Sequence, residues 1–219
     1  MKLHIDLIAD FICPWCHVGE ARLRSALALL AEKRPEVQVE IQRLPFFLDE
    51  TTPPEGYEYQ SYLERKFGSA EKVREVQQQV IEAGEPDGAR FDFDKVELRP
   101  TTLPAHRLIL QLQAVGADPV LVAKLAHGIF SAYFEGGRNI GDPKVLAMIA
   151  QLAGVQDKEL AEWLEGDDGE DEVMEVYKQV KSLGIQGVPF FVFNQQFAVS
   201  GAQSAGNLLT AMEQALDAA

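Results

Sequence analysis

The 219-residue chain carries 34 Asp and Glu against 20 Lys and Arg, a formal net charge of −14. Such acidity repels phosphate backbones and anionic bilayers, so neither nucleic acid nor membrane is expected as a partner. With 47% hydrophobic residues the chain can bury a core without staples, and two cysteines are too few for a disulfide framework.

No run of about 18 apolar residues exists to span a bilayer. Asp6 and Asp10 interrupt the apolar N-terminal stretch, and no small-residue cleavage site follows. The mature protein is therefore expected to begin at Met1 and to be cytoplasmic, where paired cysteines usually mean redox catalysis or metal.

Leu3–Ala9 alternates loosely and is predicted as a first strand. From Pro14 the period becomes helical, with Leu23, Leu27 and Leu30 on one stripe until Pro35. Val37, Val39 and Ile41 then alternate as a second strand, which makes a βαβ unit with parallel strands. Thr51–Gly56 is a loop and a boundary. Beyond it, to about Gly184, helix punctuation replaces strand pattern. Asp118-Pro119 and Asp142-Pro143 each set an N-cap before a first-turn Pro. Gly116, Gly136, Gly154 and Gly166 are placed to end helices. Asp157 can cap a further helix, with Glu159 in its first turn. Val122, Leu125, Ile129 and Tyr133 mark a buried stripe. The acidic run Glu165–Glu172 lacks the spacing of a calcium loop and reads as a solvated loop and helix start.

After Gly184 the apolar run Phe190–Phe193 and its hairpin partner Phe197–Val199 flank a turn at Asn194-Gln195-Gln196. Ser204 caps a last helix whose buried face is Leu208, Leu209, Met212 and Leu216. The fold class is thus α/β. Residues 1–50 and 184–219 form one discontinuous layer, and residues 51–183 form an all-helical insertion.

Cys13-Pro14-Trp15-Cys16 lies between strand and helix, with Cys13 at the helix N-terminus and Cys16 one turn in. Unpaired N–H groups and the positive end of the helix dipole favour a thiolate there, and the second cysteine can resolve a mixed disulfide. Zinc would need about four ligands, and His4, His17, His106 and His127 supply no second Cys pair, so no metal is expected. Cys13–His17 also matches the C-x-x-C-H haem pattern. Haem attachment of that kind belongs outside the cytoplasm, and a regular amphipathic helix follows the pair. His17 is read as a helix-surface residue beside Cys16, able to tune the thiol and to meet substrate. Gly187-Val188-Pro189 puts a proline at the start of a buried strand, where it cannot donate to the ladder. The residues alone leave a cis and a trans bond there both open.

The strand, the Cys-Pro-Trp-Cys helix start and the distant Gly-Val-Pro-Phe-Phe strand together resemble the thioredoxin fold of the DsbA family, whose helical insertion also fits. Within that family the chain most resembles the FrnE-like cytoplasmic disulfide oxidoreductases. The matching stretches include Asp10–Gly19, Pro45–Leu48, Ala105–Leu108, Ile140–Pro143, Leu183–Asn194 and Val199–Gln203. The resemblance implies a thioredoxin-like fold with a large helical insertion and a disulfide oxidoreductase or isomerase. Cys13 would be the nucleophile, Cys16 the resolving thiol and Pro189 a cis-proline facing them. Val188 would offer backbone hydrogen bonds to substrate, and Trp15 would help set the redox potential. His106 and Arg107 match a family motif and would line the cleft below the insertion; read alone, they fit an ordinary helix start equally well. Relatives carry Asn-Thr ahead of that motif where Thr101-Thr102 stand here, so no contact is carried over for that Asn. The partners implied are thiol- or disulfide-containing proteins or small thiols. No cofactor is implied beyond exchange with glutathione or another thiol protein. The wider family includes 2-hydroxychromene-2-carboxylate isomerases and kappa-class glutathione transferases. These generally carry Ser at the position of Cys13, and they supply the alternative, a glutathione-dependent isomerase or transferase acting on a small aromatic substrate.

Overall fold

A computed structural model describes residues 1–157 and 159–218. In chain order, β1 (Lys2–Ala9) leads into α1 (Pro14–Lys33), β2 (Gln38–Pro45) and the two-residue β3 (Tyr57–Glu58). Then follow α2 (Tyr59–Phe67), α3 (Ala70–Gly84), the two-residue β4 (Leu98–Arg99), α4 (Leu103–Ala114), α5 (Pro119–Phe134), α6 (Pro143–Ala153) and α7 (Leu160–Glu165). The chain ends with α8 (Glu170–Ser182), β5 (Phe190–Phe193), β6 (Phe197–Ser200) and α9 (Ala205–Asp217).

The main sheet runs in the order β2-β1-β5-β6, with β1 parallel to β2 and antiparallel to β5. Side-chain alternation divides it into two apolar faces. Leu3, Ile5, Leu7, Phe191 and Phe193 point one way and pack against Leu23 and Leu30 of α1 and Leu208, Met212 and Leu216 of α9. Ile8, Leu44, Phe190 and Val192 point the other way, against Val173, Tyr177 and Val180 of α8. Helix α8 therefore completes the sheet layer, although it lies within residues 51–183. Much of the rest of that segment shares a core with the Cys-Pro-Trp-Cys turn. Phe11, Ile12, Cys13 and Cys16 belong to the same cluster as Leu125, Ile129, Tyr133 and Leu146.

Most of the local signals act as their chemistry dictates. Asp118 accepts from Val120 N–H, Asp142 from Lys144 N–H and Ser204 from Asn207 N–H. Three departures occur. The segment predicted as wholly helical holds the antiparallel β3–β4 pair, which is too short to show alternation in sequence. The left-handed residue after α5 is Gly137, with φ of 61°, rather than Gly136. Glu159 is the N-cap residue of α7 instead of a first-turn residue, and Asp157 accepts its N–H at 2.9 Å.

The β5–β6 turn uses two non-glycine residues in the left-handed region, Asn194 (φ 50°) and Gln195 (φ 57°), a conformation that matches the twist of paired strands. Asn tolerates it best because its short amide can bond locally. Here Asn194 Oδ1 accepts from His4 N–H at 2.8 Å and its Nδ2 donates to Ala215 C=O at 3.0 Å, tying β1, β5 and α9 together. Asn194→Ala is expected to lower unfolding free energy by about 1–3 kcal/mol, since it strands a part-buried donor and acceptor. Neither Ala nor Gly restores those bonds, but Gly keeps the left-handed backbone, so urea denaturation should show Asn194→Gly as the milder change.

Candidate active site

The β1–α1 turn is built around a buried carboxylate. Asp10 Oδ2 accepts from Leu48 N–H at 2.8 Å, and Asp10 C=O accepts from Cys13 N–H at 3.0 Å. These bonds join the end of β1, the loop after β2 and the start of α1. Cys13 is the N-cap of α1 and Pro14 occupies the first turn, where its missing N–H costs nothing. Both cysteines are free thiols.

The bond between Val188 and Pro189 is cis. Pro189 is buried and Val188 half-buried. The Cys13 thiol donates toward Val188 C=O at 3.8 Å, so the strand-start loop and the helix start meet as the resemblance implies. Gly19 makes that approach possible: a Cβ there would lie 2.7 Å from Pro189 Cγ and 3.3 Å from Phe191 Cζ.

Cys13 is buried, only 4% exposed. Phe11, Ile12 and Val188 pack in the same apolar cluster as the thiol. The exposed member of the motif is Trp15, at 37%. Burial pushes the Cys16 thiol well up, and a hydrogen bond with Cys13 and the charge of Asp10 push it the same way. Cys16 therefore stays protonated at neutral pH.

Two of the expected substrate-binding residues lie elsewhere. His17 is buried rather than on the helix surface. Its ring stacks on Phe130 and Phe134 with centroids 5.3 and 5.8 Å away, and neither ring nitrogen has a hydrogen-bond partner among the described residues. Burial, with repulsion from His127 and Arg24, pushes it down to about 3. Arg107 does not line a cleft. Its guanidinium donates to the carbonyls of Asp168, Leu164 and Trp163 and stacks on the Trp163 ring at 4.9 Å, fastening the α7–α8 connection. His106 stands closer to the thiols. Its Nε2 is 3.7 Å from Asp10 Oδ1, and its ring packs against Phe11 and Phe47.

Asp10 interrupts the apolar N-terminal stretch and opens the matching stretch Asp10–Gly19, but neither reading marks it as an organiser of the turn. A lone acid in Leu-Ile-Ala-Asp-Phe-Ile-Cys was the available sign, since a charge is seldom buried without a partner. The buried ion pair of Arg43 and Glu20, 2.5 Å apart, gave no sequence signal, because the two residues stand on different elements. Among the described residues no group of His, Cys, Asp or Glu is arranged to hold a metal, and no helix is long and apolar enough to cross a membrane.

Residues 4–213 match the model of the DSBA-like thioredoxin domain. A probable DsbA oxidoreductase from Streptomyces coelicolor superposes with a TM-score of 0.86 at 26% identity, over 98% of this chain and 90% of that one. The cytosolic disulfide reductase DsbM from Pseudomonas aeruginosa, solved with GSH, superposes with a TM-score of 0.59 at 18% identity, over 98% and 95%. The uncharacterized protein YwbO of Bacillus subtilis is 24% identical over 88% of this chain and 87% of its own.

Two expectations follow from this geometry. Gly19→Ala forces the Pro189 ring away from α1 and should cost about 1–3 kcal/mol in urea unfolding, as overpacked sites do. His17 binds a proton near pH 6.5 when unfolded but only near pH 3 when folded, so the unfolded state holds more protons between those values. Its stabilising contribution is complete above pH 6.5 and is lost as pH falls through that window, by on the order of 5 kcal/mol at about 1.4 kcal/mol per pH unit. Unfolding measured from pH 7 to 4 should show this acid slope, and His17→Leu should flatten it.

Proposed function

Because the chain belongs to the DSBA-like thioredoxin domain family, we propose that it is a thiol–disulfide oxidoreductase or isomerase whose redox pair is Cys13 and Cys16. The observation that carries this reading is the meeting of two free thiols at a helix N-terminus with the cis-Pro189 loop, where Cys13 Sγ is 3.8 Å from Val188 C=O.

In the reductive direction the Cys13 thiolate attacks one sulfur of a substrate disulfide. A mixed disulfide forms, and the departing thiolate takes up a proton. Cys16 then loses its proton and attacks Cys13 Sγ. The second substrate sulfur leaves as a thiol, and Cys13 and Cys16 are joined by a disulfide. The substrate gains two electrons and the protein loses two. The reverse sequence oxidises a substrate dithiol, and isomerisation combines attack and release without net transfer. The raised Cys16 thiol makes its deprotonation the pH-sensitive half of the reaction. Val188 would hold an extended substrate segment by strand-like backbone bonding.

The reading also proposes a cytoplasmic place of work, a FrnE-like character, no bound cofactor, and glutathione or another thiol protein as the exchanging couple. The disulfide reductase DsbM, a fold relative solved with glutathione, supports that last choice. The glutathione-dependent isomerase or transferase reading leaves the second thiol, one turn behind the first, without a role.

Equilibration in glutathione redox buffers, read by thiol alkylation and mass, should show one reversible two-electron transition of Cys13 and Cys16. Cys13→Ser should abolish exchange, with kcat/KM falling by more than about a hundred-fold. Cys16→Ser should accumulate a mixed disulfide on Cys13. Thiols that never pair would overturn the reading.

A further inference from the structure

Beside the redox turn lies a second feature that the exchange reaction does not use. Ile12 and Pro14 form one edge of a pocket of about 590 Å³, its open mouth included, whose far wall is made by α2 and α3. The mouth is marked by exposed Leu48, Lys66 and Phe67. The walls are mostly apolar, with Leu63, Val73, Val76, Val80 and Phe93, and carry one amide, Gln77. The inner end is polar. Tyr133 and Arg99 line the pocket and are 1% and 4% exposed.

The Tyr133 hydroxyl has no hydrogen-bond partner among the described residues. Burial, with the Tyr59 hydroxyl and Asp10 within electrostatic reach, pushes its ionisation well up, so it stays a neutral donor. The Arg99 guanidinium lies over the Tyr62 ring, 4.3 Å from its centroid. One of its five donors bonds Thr52 Oγ1 at 2.5 Å, and its nearest carboxylate, Asp49, is 4.0 Å away. A buried hydroxyl without a partner and a guanidinium with donors to spare, at the inner end of an apolar pocket, are an arrangement that a molecule with an acceptor at one end would satisfy.

We propose that this pocket binds a small apolar molecule carrying a carboxylate, with Tyr133 and Arg99 donating hydrogen bonds to the carboxylate and the α2–α3 walls holding the apolar body. Binding requires neither thiol, so it stands whether or not Cys13 and Cys16 exchange. A ligand so placed lies against Ile12 and Pro14, next to the nucleophile.

The test is calorimetric titration of the reduced, full-length protein with 4-phenylbutyrate and, separately, with 4-phenylbutylamine, which has the same body but a cationic donor in place of the acceptor. Saturable binding of the acid is expected, at least ten-fold tighter than the amine. Tyr133→Phe should weaken the acid about ten-fold while melting no lower than the wild type, because it removes a hydroxyl that has no partner. Val76→Trp should fill the wall and abolish binding. The proposal is overturned by no saturable binding of the acid, by equal affinity for the amine, by unchanged affinity in Tyr133→Phe, or by a lower melting temperature of that variant, which would show the hydroxyl already partnered within the protein.

Discussion

The close approach of Pro189 to Gly19 is the contact on which the site depends. A side chain at Gly19 would overlap the proline ring, and without that overlap the Val188 carbonyl can lie 3.8 Å from Cys13 Sγ. The helix that carries the thiols and the strand start that faces them are thus held by shape, with no ion pair across the contact among the described residues. Phe191, the next inward residue of β5, also closes on Gly19 and seats in the core shared by α1 and α9. Sheet packing and thiol geometry are therefore parts of one fit.

Around that contact the protein buries more polarity than the proposed exchange uses. Asp10 is satisfied by backbone N–H groups and holds three chain segments at the thiols. Glu20 and Arg43 pair across α1 and β2, where removing either partner would leave a buried charge uncompensated. His17 and Tyr133 keep polar atoms without protein partners in the core that joins the sheet layer to the helices. His17 has traded charge for packing among aromatic rings. Tyr133 retains its donor and lines a pocket.

Much of this was legible in the chain. The strand, the Cys-Pro-Trp-Cys turn and the amphipathic helix are consecutive, so their geometry follows from local rules. Val188-Pro189 was legible as unusual, and its cis form came through the family resemblance. His17 and Arg107 were misplaced because a side chain's neighbours on a helix come from other helices. The amphipathic stripe of α1 could not show that α5 covers His17, nor could the start of α4 show that the α7–α8 carbonyls occupy Arg107. The docking of α8 on the sheet was hidden for the same reason: its period says that one face is buried, not against what.

The sequence by itself determined the α/β order of the sheet layer, most of the helix caps and a cysteine pair at a helix N-terminus, since each rests on residues within a turn or two of one another. Only the tertiary structure decided that Cys13 is covered, that Asp10 lies beside His106, and that Tyr133 and Arg99 share a pocket with Ile12 and Pro14. Those relations join residues dozens of positions apart. They are set by which apolar faces pack together, and local pattern carries no record of that choice.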